Sequence, residues 1–129
     1  MKTTKPALLI LIIAFICFSC TEDKTINLTK MDGFPPDFMG CSCYFSENET
    51  DFKAQQFIYV DSYESKPAYI SIDDKVIELG DYTKGYEVKF EITDSVQLDT
   101  ELWHKEGTVT ITDSTGAVVT RSIYGECGC

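Results

Sequence analysis

The chain has 129 residues, of which 21 are acidic and 11 are Lys or Arg, so its formal net charge is −10. This length is enough for one small domain and leaves no room for a second. The acidic balance excludes nucleic acid as an expected partner, because phosphate binding depends on clustered Lys and Arg side chains. This charge either serves only to keep a surface-tethered domain soluble or attracts a basic protein, peptide or cation.

The first residues of the chain predict an export signal. Lys2 and Lys5 precede a twelve-residue apolar run over residues 7–18. A membrane-spanning helix needs about 20 apolar residues, so the shorter run favours a cleaved signal peptide over residues 1–19. An uncleaved anchor or ordinary secretion is the alternative.

Residues 16–20, with the sequence ICFSC, resemble the lipobox of bacterial lipoproteins, in which a small residue precedes the cysteine that becomes acylated. The resemblance implies that Cys20 carries the lipid and anchors the protein in the cell envelope. Thr21 stands where lipoproteins retained at the inner membrane have Asp, so the expected location is the outer membrane. Residues 20–37 are polar, contain Gly33 and two prolines, and predict a flexible tether after the lipidated cysteine.

Four cysteines remain in the predicted domain, residues 38–129, as the pairs Cys41 with Cys43 and Cys127 with Cys129. An even number outside the cytoplasm favours disulfides. Residues i and i+2 of a strand point to the same face, so two neighbouring strands would bring all four sulfurs together. Antiparallel strands predict Cys41–Cys129 and Cys43–Cys127, and parallel strands would exchange the partners. A zinc or copper site of thiolates and redox exchange are the alternatives.

Apolar residues alternate with polar ones along most of the domain, which predicts strands. An apolar run covers residues 57–60, and hairpins are predicted over 68–79, around Asp73 and Asp74, and over 108–124. Residues 86–93 alternate most clearly, residues 46–49 resemble a capping box before a turn or two of helix, and residues 94–105 have no clean period. We expect an all-β fold: an antiparallel meander of about seven strands that closes into a small barrel or sandwich, stapled by the Cys-x-Cys pairs.

Catalytic signals are weak in this sequence. His104 is the single histidine, and no Gly-x-Ser-x-Gly turn accompanies it, so we expect a surface histidine, no enzymatic activity and no cofactor. The acidic cluster of Glu47, Glu49 and Asp51 lacks the spacing of a calcium loop and is interpreted as a solvated loop. Trp103 either fills the core or lies exposed as a binding aromatic side chain.

Residues 81–90, with the sequence DYTKGYEVKF, resemble a segment of the membrane-bound inhibitors of c-type lysozyme. The resemblance implies an acidic lipoprotein with a small antiparallel barrel, in which a disulfide joins the first strand to the chain end. It also implies inhibition of a basic lytic enzyme as one function of this chain. Tyr82 and Lys84 within this segment, and Trp103 outside it, are the candidate partner-binding residues. The main prediction is a lipid-anchored, non-enzymatic interaction module of the envelope.

Overall fold

The computed structural model of the protein describes residues 25–36, 38, 40–62, 67–79 and 85–129. The predicted signal peptide, the predicted lipid attachment site Cys20, Tyr82 and Lys84 lie outside these residues. In the described part of the chain, no helix combines the length and the hydropathy needed to cross a bilayer.

The described residues form ten strands and one short helix, and all strand pairs are antiparallel, which confirms the all-β fold. In chain order the elements are β1 (Leu28–Thr29), β2 (Met31–Asp32), β3 (Ser42–Ser46), α1 (Glu49–Lys53), β4 (Gln56–Phe57), β5 (Tyr59–Ser62), β6 (Ala68–Ile72), β7 (Lys75–Leu79), β8 (Tyr86–Asp99), β9 (Leu102–Asp113) and β10 (Val118–Gly128).

One eight-stranded sheet contains every strand except β2 and β4, which pair with each other. Its order is β1-β6-β5-β3-β10-β9-β8. On one edge of β6, β5 pairs with residues 68–70 and β1 with residues 71–72, and β7 pairs with the opposite edge. The sheet curls, because Phe90 on β8 contacts Tyr59 on β5 with ring centroids 4.8 Å apart. Within the described residues β7 and β8 do not pair, so the sheet stays open and its two ends face each other across a core. This arrangement corresponds to the sandwich alternative rather than to a closed barrel.

The core lies on the concave side of the curled sheet, which we call the inner face. It contains apolar side chains from both ends of the sheet, which alternate with polar ones along each strand. The most deeply buried members include Ile58, Ile70, Val109, Ile111, Phe45 and Ile123. The opposite side is the outer face, and on β3 and β5 it is covered by α1 and by the β2–β4 pair. Met31, Phe57 and Val60 are buried in this second, smaller cluster.

Within the predicted tether of residues 20–37, the structure corrects the prediction for residues 25–32, which belong to the fold. Ile26, Leu28 and Met31 are buried, and β1 extends the sheet by pairing Leu28 with Ile72. The hydroxyls of Thr29 and Ser71 are hydrogen-bonded at 2.7 Å. Two-residue strands carry too few side chains to show a period, so the sequence pattern did not reveal them.

Both predicted hairpins are confirmed. Asp73 and Asp74 connect β6 to β7 with φ angles of 52° and 61°, the left-handed pair that a two-residue turn requires. Asn27 Nδ2 donates to Asp73 Oδ1 at 3.0 Å, so the N-terminal segment supports this turn. Between β9 and β10, Asp113 Oδ1 accepts hydrogen bonds from the backbone amides of Thr115 and Ala117.

The short helix is also present, with Asn48 as its N-cap. The Asn48 side chain accepts a hydrogen bond from the Asp51 backbone amide at 2.8 Å. Lys53 and Glu49 form an exposed (i, i+4) ion pair at 2.9 Å. The helix therefore spans the turn or two that its sequence predicted, but its N-cap lies two residues after the Ser46 that opens the capping-box pattern.

Residues 94–105 lack a clean period because β8 contains two irregularities. Ile92 lies opposite Gly107, whereas Asp94 lies opposite Glu106, so Thr93 is an extra residue in the ladder, and a second shift follows at Leu98. A bulge of this kind moves the following side chains to the other face. Even-numbered residues of β8 therefore point to the inner face before the bulge, and Ser95 and Gln97 do so between the bulge and the second shift.

The four cysteines form two disulfides, Cys41–Cys129 and Cys43–Cys127, each with 4.1 Å between Cα atoms. Cys43 lies directly opposite Cys127 in the antiparallel β3–β10 ladder. The antiparallel pairing considered from the sequence is thus confirmed. The Cys43–Cys127 bridge is buried on the inner face, whereas Cys129 is exposed.

Candidate functional site

The C-terminal ends of β8 and β10 and the start of β9 form a shallow cleft on the inner face, beside the Cys43–Cys127 disulfide. The cleft has a volume of about 500 Å³ and is lined by Ser95, Glu101, Trp103, Lys105, Cys127 and Gly128. We call it the Trp103 cleft.

The strand registers place each side chain of the Trp103 cleft. Trp103 on β9 lies opposite Gln97 on β8 and opposite Cys127 on β10. Lys105, two residues later on β9, lies opposite Ser95. Because i and i+2 residues of a strand share a face, the indole and the ammonium group stand side by side on the inner face.

Trp103 has 39% of its surface exposed, which resolves the alternative left open by its sequence position. Its indole is a cleft wall rather than a core side chain. An exposed indole offers a broad apolar surface and a ring face that attracts cations. Lys105 and Glu101 add one charge of each sign at the margin, the kind of polar group that orients a bound molecule.

The cleft is held by covalent and hydrogen bonds that join its walls. The Cys43–Cys127 disulfide ties the β10 wall to β3, and the backbone amide of Cys129 donates to the Glu101 carbonyl oxygen at 3.0 Å. Gly128 passes so close to this turn that a side-chain carbon there would overlap the Glu101 carbonyl oxygen. Binding to such a preformed surface loses little conformational entropy.

A second cleft, also of about 500 Å³, lies on the outer face around Tyr124, and we call it the Tyr124 cleft. Four carboxylates line it, and two of them are ion-paired: Glu47 with Arg121 at 3.5 Å and Glu49 with Lys53 at 2.9 Å. These acidic residues are Glu47, Glu49, Asp94 and Glu106. Of the cluster predicted as a solvated loop, Asp51 instead binds Lys30 at 2.8 Å.

Aromatic side chains form the back of the Tyr124 cleft. The Tyr124 ring contacts His104 at 4.4 Å and Phe52 at 5.5 Å, both edge to face. The pKa of the Tyr124 phenol is raised, mainly because the phenol is partly buried and secondly because the carboxylates of Glu49 and Glu106 are near it. The expectation that His104 is a surface residue is wrong, because its side chain is only 15% exposed and packs between Tyr124 and Glu106.

A partly buried hydrogen bond connects the same outer face to β3. Tyr44 Oη donates to Glu126 Oε2 at 2.7 Å. Burial and this hydrogen bond raise the pKa of the Tyr44 phenol well above its usual range. The phenol therefore stays neutral at physiological pH and serves as a donor to the carboxylate.

The sequence identified Trp103 but not the Tyr124 cleft. Tyr82 and Lys84 lie outside the described residues, so of the three candidate binding residues the structure places only Trp103. Asp94 and Glu106 lie opposite each other in the β8–β9 ladder just after the bulge at Thr93, and this register brings them near Glu47 and Glu49. The sequence signal that could have indicated the Tyr124 cleft is the alternation of β9, which puts His104, Glu106 and Thr108 on one face.

All four domain cysteines are disulfide-bonded, so they offer no thiolate to a metal ion. Among the described residues, no group of three or more His, Cys, Asp or Glu side chains is placed to hold a metal ion. In comparisons with known proteins, no family model, curated protein or solved structure matches this chain.

Proposed function

We propose that this protein is a lipid-anchored, non-enzymatic interaction module of the bacterial envelope, and that its β-domain binds a basic protein or peptide at the Trp103 cleft. The observation that carries this proposal is the exposed indole of Trp103 in a cleft with disulfide-braced walls. Tryptophan is among the side chains that contribute most to binding when a partner covers them.

Charge supports a basic partner. The whole chain has a net charge of −10, and the Tyr124 cleft adds four carboxylates on the outer face of the same strands. Such a field accelerates the approach of a basic partner over several ångströms, and the contacts at Trp103 then hold it. Lys105 in the cleft would pair with an acidic group within an otherwise basic partner.

We propose the anchor from the lipobox at Cys20, and the outer-membrane location from Thr21 after it. Loss of Lys2 and Lys5 with the signal peptide would leave nine basic residues against 21 acidic ones, a net charge of −12. Several acyl chains on one cysteine would hold the protein stably, whereas one chain binds only marginally.

Binding of a basic probe tests the proposed surface. The full-length protein, purified from membranes in detergent, is titrated with a lysine-rich peptide and with c-type lysozyme at low ionic strength. We expect binding that weakens as salt is added and a loss of about tenfold in W103A. V118A, which truncates an exposed apolar residue of β10 outside the cleft, is the matched control and should bind like the wild type. The proposal would be refuted if W103A bound with unchanged affinity, or if neither the peptide nor lysozyme bound the wild type.

Lysozyme inhibition is a narrower form of the same proposal and is suggested by the resemblance of residues 81–90. Its test is the rate of cell-wall lysis by c-type lysozyme in the presence of excess protein. Inhibition that is lost in W103A would assign the cleft to the enzyme, and an unchanged lytic rate would discard this form while leaving a different basic partner in place.

A further inference from the structure

β8 ends the strand order of the sheet. Among the described residues it pairs only with β9, and twelve of its 14 residues are exposed, all except Tyr86 and Val88. One row of its backbone N–H and C=O groups therefore faces away from the sheet. Such an edge is a template for pairing with another strand.

The inner-face side chains of β8 are more exposed than their position in the alternation predicts. Phe90 is 38% exposed although it contacts both Phe45 and Tyr59, and Ile92 is 40% exposed. In the part of the chain that the structure describes, no further strand lies beside them to complete the apolar surface. A strand added at the β8 edge would cover both side chains.

The outer-face side chains of β8 carry alternating charges before the bulge. Glu87, Lys89 and Glu91 follow one another at two-residue intervals, and Lys89 is 73% exposed and lies 3.3 Å from Glu87. This pattern is nearly neutral in sum, so it does not select a strongly basic strand. An antiparallel second copy of β8 presents the same charges in the opposite order, so lysine and glutamate can lie opposite each other.

We propose that two copies of the chain associate by antiparallel pairing of β8 with β8, with Phe90 at the two-fold axis. In this register Lys89 lies opposite Glu91 of the second copy, and Glu91 lies opposite its Lys89. Val88 and Ile92 face each other on the inner side, and the two Phe90 rings meet at the centre. Each copy contributes the same surface, as a two-fold interface requires, and both opposite-charge pairs stabilise the ladder.

Neighbouring registers are less favourable. An axis at Lys89 would place lysine opposite lysine and Glu87 opposite Glu91, and an axis at Glu91 would place two glutamates together. An axis at Val88 would pair Lys89 with Glu87 but would leave Ile92 uncovered. It would also extend into Gly85, whose φ of 81° lies outside strand geometry.

Charge reversal tests the interface in the full-length protein. Two differently tagged copies are produced in the same cells, solubilised in detergent, and captured through one tag while the other is quantified. Wild-type copies should co-purify. Copies that both carry K89E, or both carry E91K, place like charges opposite each other twice, so co-purification should fall about tenfold.

The decisive arm combines the two variants. A copy with K89E and a copy with E91K restore opposite charges across the axis, so co-purification should return. K53E makes the same charge change on α1, away from β8, and should co-purify like the wild type. Absence of wild-type co-purification, or failure of the mixed pair to recover, would overturn the proposal.

Two further variants separate this inference from its alternatives. E87K should leave co-purification unchanged, because Glu87 lies opposite Thr93 in the proposed register, and a loss in E87K would overturn that register. W103A should also leave co-purification unchanged, because the Trp103 cleft takes no part in the pairing. The tests can therefore refute the proposed dimer without refuting the proposed binding of a basic partner, and the reverse.

Discussion

Gly125 on β10 determines how closely β3 can approach β10. It lies opposite Phe45 on β3 and Lys105 on β9. A side-chain carbon at this position would overlap the Tyr44 carbonyl oxygen and lie 2.7 Å from Phe45 Cδ1. The missing side chain allows the Phe45 ring to lie over the strand, where it reaches Phe90 with centroids 5.5 Å apart.

Substitution of Gly125 tests this close approach. G125A should destabilise the fold by about 2–3 kcal/mol, because the added methyl group must displace backbone or the Phe45 ring. G116A is the matched control: Gly116 has a φ of 87° and open space around its α-carbon, so only the backbone strain of about 1 kcal/mol remains. Urea unfolding of both variants measures the difference, and equal losses would show that β3 and β10 separate easily.

At the scale of elements, the β3–β10 ladder is closed by two disulfides that span nearly the whole domain. Their sequence separations are 88 and 84 residues. On the chain-entropy model, one bridge over such a loop stabilises by about 4–5 kcal/mol. The second bridge then restricts only a few additional residues of the unfolded chain, so the two bridges are largely redundant in entropy.

Removal of the bridges should therefore be strongly non-additive. C41A/C129A should cost under about 1 kcal/mol, because Cys43–Cys127 still closes the loop. C43A/C127A should cost somewhat more, because both sulfurs leave the buried core. All four substitutions together should cost more than the sum of the two pairs, as urea midpoints of the full-length protein would show. A simple sum would instead mean that each bridge acts through local packing.

At the scale of the whole molecule, residues 25–32 are part of the fold, although the sequence predicted that they only tether it. Leu28 and Ile26 are buried in the main core, and Met31 is buried in the outer cluster. Asp74 also donates its backbone amide to Thr29 Oγ1 at 3.0 Å. A lipid anchor at Cys20 would consequently hold the domain close to the membrane, on a connection only a few residues long.

Truncation of a buried side chain in this segment tests its role. L28A should destabilise the protein by about 2–4 kcal/mol, because a core side chain is replaced by a cavity. T25A, at an exposed residue of the same segment, should leave the unfolding midpoint unchanged. If L28A also unfolded at the wild-type midpoint, residues 25–32 would contribute nothing to the stability of the domain.

The sequence by itself determined the strands with clear alternation, both hairpins, the short helix and the cysteine partners expected for antiparallel strands. These features depend on local geometry: side chains two residues apart share a face, and a turn requires particular backbone angles. The tertiary structure alone decided that β1 and β2 join the fold, that Thr93 reverses the alternation of β8, and that Trp103 is exposed. It also brought Asp94 and Glu106 beside Glu47 and Glu49, because such a site depends on the register between strands that are distant in sequence, which no local pattern specifies.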